Sequence, residues 1–379
     1  MKLKLKAAML GGGSNSAVGK VHKIASEMDG NFEIVAGCFS RNKEINSSSG
    51  LLYSLDLERI YSTLSEMINA EAGNIDVVIV VTPSVDHGKQ VVEIIRAGIP
   101  VICEKGLVMT LAEAENLLKN LELDGNKNFV ASTFNYTGYP MVRELKAKIA
   151  QGEFGRIHSL FFEMPQEGYI KRGLDGAVAR PQAWRLADGE IPIISMDLGA
   201  HLYSMANFLI DIKPLEVVSV SRNCGNFENI IDDISCLVKY EGDVLGNFWY
   251  GKAALGYQNG LKIRIFGDKG SGEWVQANPE ILTVCDMYGT VTSLNRASSL
   301  ISAANMKRYE RFKAGHPAGY IEAFANYYQD IAEELRLFKA SSTNYEKTGY
   351  VLGAHEVISA LKLSIAVNRS SKEKGWVRV

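Results

Sequence analysis

The chain has 379 residues, of which 46% are hydrophobic and 22% charged, the balance of an ordinary soluble globular protein. With 41 Lys+Arg against 43 Asp+Glu its formal charge is -2, which gives no electrostatic footing for nucleic acid or an anionic membrane. Five scattered cysteines, odd in number and without a CxxC pair, point to a reduced compartment, no disulfide framework and no metal site.

The length predicts two domains, each able to bury its own core. The N-terminal KLKLKAAML begins like a signal peptide, but Gly11-Gly12-Gly13 cuts its apolar stretch short and no cleavage pattern follows. No run approaches the roughly 18 uncharged apolar residues of a membrane span. The expectation is a cytoplasmic protein.

Leu5 to Leu10 reads as a strand running straight into GGGSNSAVGK. Glycine permits a tight turn and close approach of a phosphate, and the helix that follows aims its N–H groups at the anion. Gly11 and Gly13 fit the first two glycines of the dinucleotide fingerprint G-x-G-x-x-G, while Gly19 falls three residues late for the third. The second strand, Phe32 to Phe39, ends in Ser40-Arg41 rather than in the acid that binds a free ribose 2′-hydroxyl. Arginine there accommodates a 2′-phosphate, so NADP is favoured over NAD.

Asp76 to Gly106 holds a complete strand–helix–strand unit. Val77 to Val81 is too short for a helix and suits a strand buried on both faces. Thr82-Pro83 ends it, because proline has no N–H for a sheet. A helical pattern runs from about Asp86 to Gly98, and Val101 to Cys103 then delivers Glu104-Lys105 at a second strand end. Ligands of parallel sheets bind outside the carboxyl ends of strands, where Thr82 and Glu104-Lys105 both fall. A further helix (Thr110 to Leu121) and strand (Phe129 to Phe134) precede a Gly/Pro cluster that marks the domain boundary, giving domains 1–135 and 136–379.

Beyond it, Pro165 to Pro192 is a long irregular stretch bearing Tyr169, Arg172, Arg180, Trp184 and Arg185, suited to a polar, anionic or sugar-like ligand. Next comes a helical segment with Ser195 as its expected cap. Asp197 and His201, four apart, share one face of it. A histidine beside a carboxylate is the arrangement of a general base. From Val217 to Leu294 the pattern is strands, with Ile263 and Ile265 alternating against Lys262 and Arg264 and a hairpin turn at Gly267–Gly270. A helix from Ile321 to Leu337 and another from Gly353 to Val367 complete the chain. The fold class is therefore α/β: an N-terminal Rossmann dinucleotide-binding domain, then an α+β domain whose large open, mostly antiparallel sheet is a natural dimer surface.

The glycine turn with His22, Thr82-Pro83 with His87, Glu104-Lys105, the Asn135-Tyr136 strand end, Trp184-Arg185 and Asp197-x-Gly199-x-His201 together resemble the Gfo/Idh/MocA oxidoreductases (glucose–fructose oxidoreductase, inositol dehydrogenase and rhizopine catabolism). The resemblance covers almost the whole chain. It implies that Gly11, Gly13, Ser14, Asn15 and Gly19 hold the pyrophosphate, that Ser40 and Arg41 meet the adenosine ribose, and that Thr82, Pro83 and His87 line the nicotinamide half. Glu104 would contact the nicotinamide ribose. Lys105 would hydrogen-bond the reacting hydroxyl as well as border the cofactor, and His201 would take its proton, with Asp197 orienting it or binding a neighbouring hydroxyl. Tyr136, Tyr169, Trp184, Arg185 and His316 are the remaining substrate-side candidates. Gly106 stands where the family usually has proline, which would leave Lys105 on a looser turn.

The implied function is an NAD(P)-dependent interconversion of a secondary alcohol and ketone on a sugar, inositol or nucleotide sugar, in a homodimer or homotetramer built through the C-terminal sheet. Two alternatives belong to the same family: a cofactor-binding regulator without catalysis, and a glycosidase that oxidises its substrate transiently.

Overall fold

The computed structural model describes residues 3–123, 128–341 and 347–379. The chain divides into two compact units, Met1–Gly138 with Tyr320–Ile358, and Tyr139–Gly319 with Ser359–Val379.

In the first unit, strands β1 (Leu5–Gly11), β2 (Phe32–Cys38), β3 (Val77–Val81), β4 (Val101–Glu104) and β5 (Val130–Thr133) form a sheet in the order β2-β1-β3-β4-β5, all pairs parallel. Helices α1 (Gly19–Glu27), α2 (Lys43–Leu52), α3 (Leu64–Glu71), α4 (Ser84–Arg96) and α5 (Leu111–Leu123) connect them. Every residue of β3 is buried, as expected of a strand covered on both sides. α4 begins at Ser84, directly after Pro83 and two residues earlier than the sequence pattern suggests. The strand order reverses between β1 and β3, the topological switch point at which doubly wound sheets bind ligands. Gly11 pairs with Val81 there, so the glycine turn and the Thr82-Pro83 turn leave the sheet side by side.

The second unit is built on α6 (Pro140–Ala150), β6 (Ile157–Pro165), α7 (Ala200–Ile210) and the strands β7 (Pro214–Arg222), β8 (Asp233–Tyr240), β9 (Val244–Gly251), β10 (Lys262–Gly267), β11 (Gly270–Val275), β12 (Leu282–Asp286) and β13 (Val291–Leu294). After them come α8 (Tyr320–Ser341), α9 (Ala354–Glu373) and β14 (Val377–Arg378). Among the described residues this sheet has nine strands in the order β13-β12-β11-β10-β6-β9-β8-β7-β14. It is antiparallel except where β6 meets β9. Leu160, Phe162, Phe248, Tyr250, Ile263 and Ile265 are buried while their neighbours Phe161, Asn247, Trp249 and Arg264 are only partly covered. That period-two pattern leaves one face of the sheet open.

α8 belongs to the first unit, where Phe324, Tyr328, Ile331 and Leu335 enter the core with Phe32, Ile34 and Ile79. Its Tyr327 hydroxyl donates to the Ser132 carbonyl (2.6 Å) and accepts the Leu352 N–H (2.9 Å), tying β5 to a segment far along the chain. Among the described residues no helix is long and apolar enough to cross a membrane, and no cluster of His, Cys, Asp or Glu is arranged to hold a metal ion.

Candidate active site

The glycine turn is built differently from the simple fingerprint. Gly11 and Gly12 have φ of +78° and +74°, the left-handed region that side chains avoid. A Cβ on Gly11 would meet the Thr82 nitrogen at 2.7 Å, and one on Gly19 would meet the Gly12 carbonyl oxygen at 2.1 Å. Gly19 therefore does the close-packing work of a third fingerprint glycine despite its late position. The extra residues close on themselves: Ser16 N–H donates to the Gly13 carbonyl (2.8 Å), and Ser16 Oγ accepts from the N–H of Gly19, the first residue of α1 (3.1 Å). Ser14 N–H donates to Ser49 Oγ (2.8 Å), and Tyr53 donates its hydroxyl to the Gly12 carbonyl (2.6 Å). Ser14 and Asn15 are exposed at the crest of the turn. Gly12, Ser49 and Tyr53 were not among the expected site residues; three consecutive glycines do not reveal which of them pivots.

At the end of β2, Ser40 Oγ accepts from Asn42 N–H (3.1 Å). Arg41 is 88% exposed in its side chain and reaches Asp86 Oδ2 at 2.9 Å. An exposed pair of this kind contributes about 0–1 kcal/mol, so little opposes the guanidinium turning to a phosphate.

At the end of β4, Glu104 Oε2 accepts the Thr133 hydroxyl and lies 3.2 Å from His22 Nε2. His22 is fully buried on α1 and places Nδ1 2.7 Å from the Tyr328 hydroxyl. Burial would push the Glu104 carboxyl up, but the bond and charge of His22, the Thr133 hydroxyl and the charge of Lys105 hold it down at about 2. The carboxylate is thus ionised at any working pH, and the residue after it is Lys105. His22, quoted only as part of the resemblance, is the link between α1 and this strand end. Because the folded pKa lies below the unfolded one, the carboxylate's stabilisation is complete above the usual carboxylate range and fades as pH falls to about 2. Replacing Glu104 by Gln should cost on the order of 3 kcal/mol at neutral pH. Denaturant melts should show the gap from wild type closing with acid; a gap independent of pH would contradict this account of Glu104.

The Thr82 hydroxyl donates to Gln90 Oε1 (2.6 Å), and Pro83 is exposed. His87 is fully buried, with Nε2 2.7 Å from the Thr82 carbonyl and Nδ1 3.0 Å from the Gly106 carbonyl. Gly106 has φ +83°, a value closed to proline, whose ring fixes φ near −65°. The glycine is therefore required by this turn's backbone. Tyr136 is buried, its ring centroid 6.5 Å from that of Tyr320.

In the second unit, Ser195–Gly199 is a π-helical turn continuous with α7. Ser195 is not the cap the sequence suggested: helical structure already begins before it, and its buried Oγ lies 3.0 Å from the Tyr250 hydroxyl. Turns of this rare type recur at functional sites, and this one carries Asp197 and leads directly to His201. Asp197 Oδ2 accepts from Arg185 Nη1 and from Lys252 Nζ, the latter at 2.7 Å. Lys252 also donates to Gln166 Oε1 (3.2 Å) and sits over the Tyr169 ring. Tyr169 is buried and gives its hydroxyl to the Arg185 carbonyl (2.9 Å); the Arg185 guanidinium lies 4.3 Å from the centre of the Trp184 ring. The irregular stretch and the π turn are thereby brought together around one carboxylate. Lys252, one residue beyond β9, was not anticipated, since nothing near it in sequence marks it. His316 is exposed, on a loop whose carbonyl at that residue accepts from buried Arg296 (3.0 Å).

A parallel sheet with a glycine turn at its switch point and a strand-end Glu-Lys pair, followed by a large mixed sheet, defines an NAD(P)-binding α/β oxidoreductase. The NAD-binding Rossmann-fold domain of the GFO/IDH/MocA oxidoreductase family matches residues 5–132, and the family's C-terminal domain matches residues 142–273. The chain belongs to this family. It is 30% identical to the uncharacterised oxidoreductase YfiI of Bacillus subtilis over 338 residues, 86% of this chain and 84% of that one. The crystal structure of an oxidoreductase from Sinorhizobium meliloti superposes with a TM-score of 0.84 at 30% identity, over 99% of both chains. An inositol dehydrogenase homologue from Azotobacter vinelandii, complexed with NADH and myo-inositol, gives 0.86 at 25% identity over 100% of this chain and 98% of that one.

Proposed function

We propose that the protein is an NAD(P)-dependent dehydrogenase or reductase that interconverts a secondary alcohol and a ketone on a sugar, inositol or nucleotide-sugar substrate. The observation that carries this reading is Lys105 at the carboxyl end of β4, next to a carboxylate held ionised by His22 and Thr133. The Azotobacter vinelandii relative, which holds NADH and myo-inositol, supports the substrate class.

Residues 1–135 are assigned to the dinucleotide, with α8 bracing them from later in the chain, and 136–379 to the substrate and to assembly. Gly11, Gly12 and Gly19 have no room for a Cβ, so the turn packs closely on the end of β3 and the start of α1, which fits a dinucleotide-binding turn. Gly13, Ser14 and Asn15 complete that turn; Ser40 and Arg41 receive the adenosine ribose, with NADP favoured over NAD. Bound nicotinamide supplies the redox chemistry by exchanging hydride with the carbinol carbon. Lys105 hydrogen-bonds the reacting oxygen and stabilises its developing negative charge. His201 holds the proton that this oxygen loses or regains. Asp197, committed to Arg185 and Lys252, is an acceptor for a neighbouring hydroxyl, and Trp184, Tyr136 and His316 border the substrate. The open face of the β6–β9 region, with Phe161, Val220 and Trp249, is assigned to a second copy of the chain.

Cofactor choice is tested by titrating wild type and Arg41→Ala with NADH and NADPH, following nicotinamide fluorescence. NADPH should bind more tightly to wild type and lose about tenfold in the variant, while NADH is unaffected. Equal binding of both, indifferent to the substitution, would remove Arg41 from the site.

A further inference from the structure

His87 touches the turn that follows β3 and the turn that follows β4. Its ring is fully buried, with the Thr82 carbonyl on one nitrogen and the Gly106 carbonyl on the other. Both partners are acceptors only, so both ring nitrogens must donate if both contacts are hydrogen bonds. A neutral imidazole has one N–H and satisfies one of them; the imidazolium satisfies both.

We infer that His87 is a positioning residue that ties the Gly106 carbonyl to the end of β3 and so fixes the turn on which Lys105 is carried. This rests on the reading of Lys105 as the residue that meets the reacting oxygen. The turn needs such a tie. Gly106 adopts φ +83°, and glycine has more backbone freedom to lose than any other residue. Where a proline ring would stiffen the segment after the lysine, here a side chain from α4 holds its carbonyl instead. The charged groups around His87 are Asp86 on its own helix and Glu104 on β4, both favouring the cation, with Glu113 of α5 packed on the adjoining Gly88 and Lys105 on the held turn itself. Burial opposes the cation and pulls the ring's pKa down; the two carbonyls act in the other direction. The tie is therefore complete when the ring is protonated and half-made when it is neutral.

The test is hydrogen–deuterium exchange on the full-length protein, read on peptides spanning residues 103–109, in wild type, His87→Phe and His87→Gln. A glutamine amide can donate both of its hydrogens to the two carbonyls; phenylalanine donates none. Exchange in this stretch should be about tenfold faster in His87→Phe and close to wild type in His87→Gln, with β1 unchanged in both. After correction for intrinsic rates, protection of the wild-type stretch should rise as pH falls below the ordinary imidazole value of about 6.5, because burial pulls the ring's pKa down, and that of His87→Gln should stay flat. Wild-type exchange in His87→Phe, or the same pH slope in His87→Gln, would overturn the inference. Should His87→Phe fail to fold, the comparison of wild type with His87→Gln decides the matter alone. Exchange that follows this pattern in a protein that turns over no polyol would leave the His87 tie standing and remove the dehydrogenase reading of Lys105.

Discussion

Lys105→Met should abolish turnover almost completely while leaving nicotinamide binding intact. A side chain that hydrogen-bonds the reacting oxygen acts on charge that develops only in the transition state, so its removal lowers kcat far more than it weakens binding. Loss of a general acid or an oxyanion donor typically costs two to four orders of magnitude, and a fall of about a thousandfold in kcat is expected here. Methionine keeps the length and most of the volume of the stem, so Glu104 and its bonds to His22 and Thr133 should survive. The measurement is steady-state turnover beside an NADH titration. A variant that loses cofactor binding in proportion to turnover would show Lys105 to be a cofactor ligand only.

Gly19→Ala should be the most damaging single methyl in the dinucleotide unit. In a typical helix, alanine is better than glycine by about 0.5–1 kcal/mol, because it restricts the unfolded chain. At Gly19 the new Cβ would lie 2.1 Å from the Gly12 carbonyl oxygen and 2.6 Å from its carbon, both backbone atoms. They cannot rotate away as a side chain does, and Gly12 is itself fixed by φ +74° and by the Tyr53 hydroxyl. Relief requires α1 and the glycine turn to move apart, at a cost of about 3 kcal/mol. Dinucleotide affinity should fall by more than about tenfold, because the N–H groups of the turn lose their common direction. Thermal melts and cofactor titration check both parts; a variant as stable as wild type would mean that the turn is not close-packed.

The strand–helix–strand unit around β3 and β4 was legible because its apolar runs are short, uninterrupted and ended by Pro83 and by Glu104-Lys105. The alternation of Lys262 to Ile265 likewise announced a half-covered antiparallel strand. What stayed hidden depends on distance along the chain. Lys252 lies far in sequence from Asp197, and a single lysine after a strand carries no pattern; only the folded sheet brings it to the carboxylate. Tyr327 and Tyr328 look like ordinary helix core, yet their hydroxyls reach Ser132 and His22 in the Rossmann unit. Ser195 misled because a serine ahead of an apolar helical run has the look of a cap, whereas here its hydroxyl faces Tyr250 in the interior. Gly106 was read as a loosening of the turn. Its left-handed φ and the His87 contact to its carbonyl are backbone facts that residue type alone does not contain.

The central claim, hydride exchange at a carbinol carbon, is tested most directly by incubating the wild-type protein and Lys105→Met with NADP or NAD and a panel of sugars, inositols and nucleotide sugars, following nicotinamide absorbance and the products together. The account predicts that at least one substrate yields reduced cofactor and ketone in equal amounts with wild type, and almost none with the variant. Release of free sugar without net reduction of the cofactor, or bound cofactor with no substrate turned over, would contradict it.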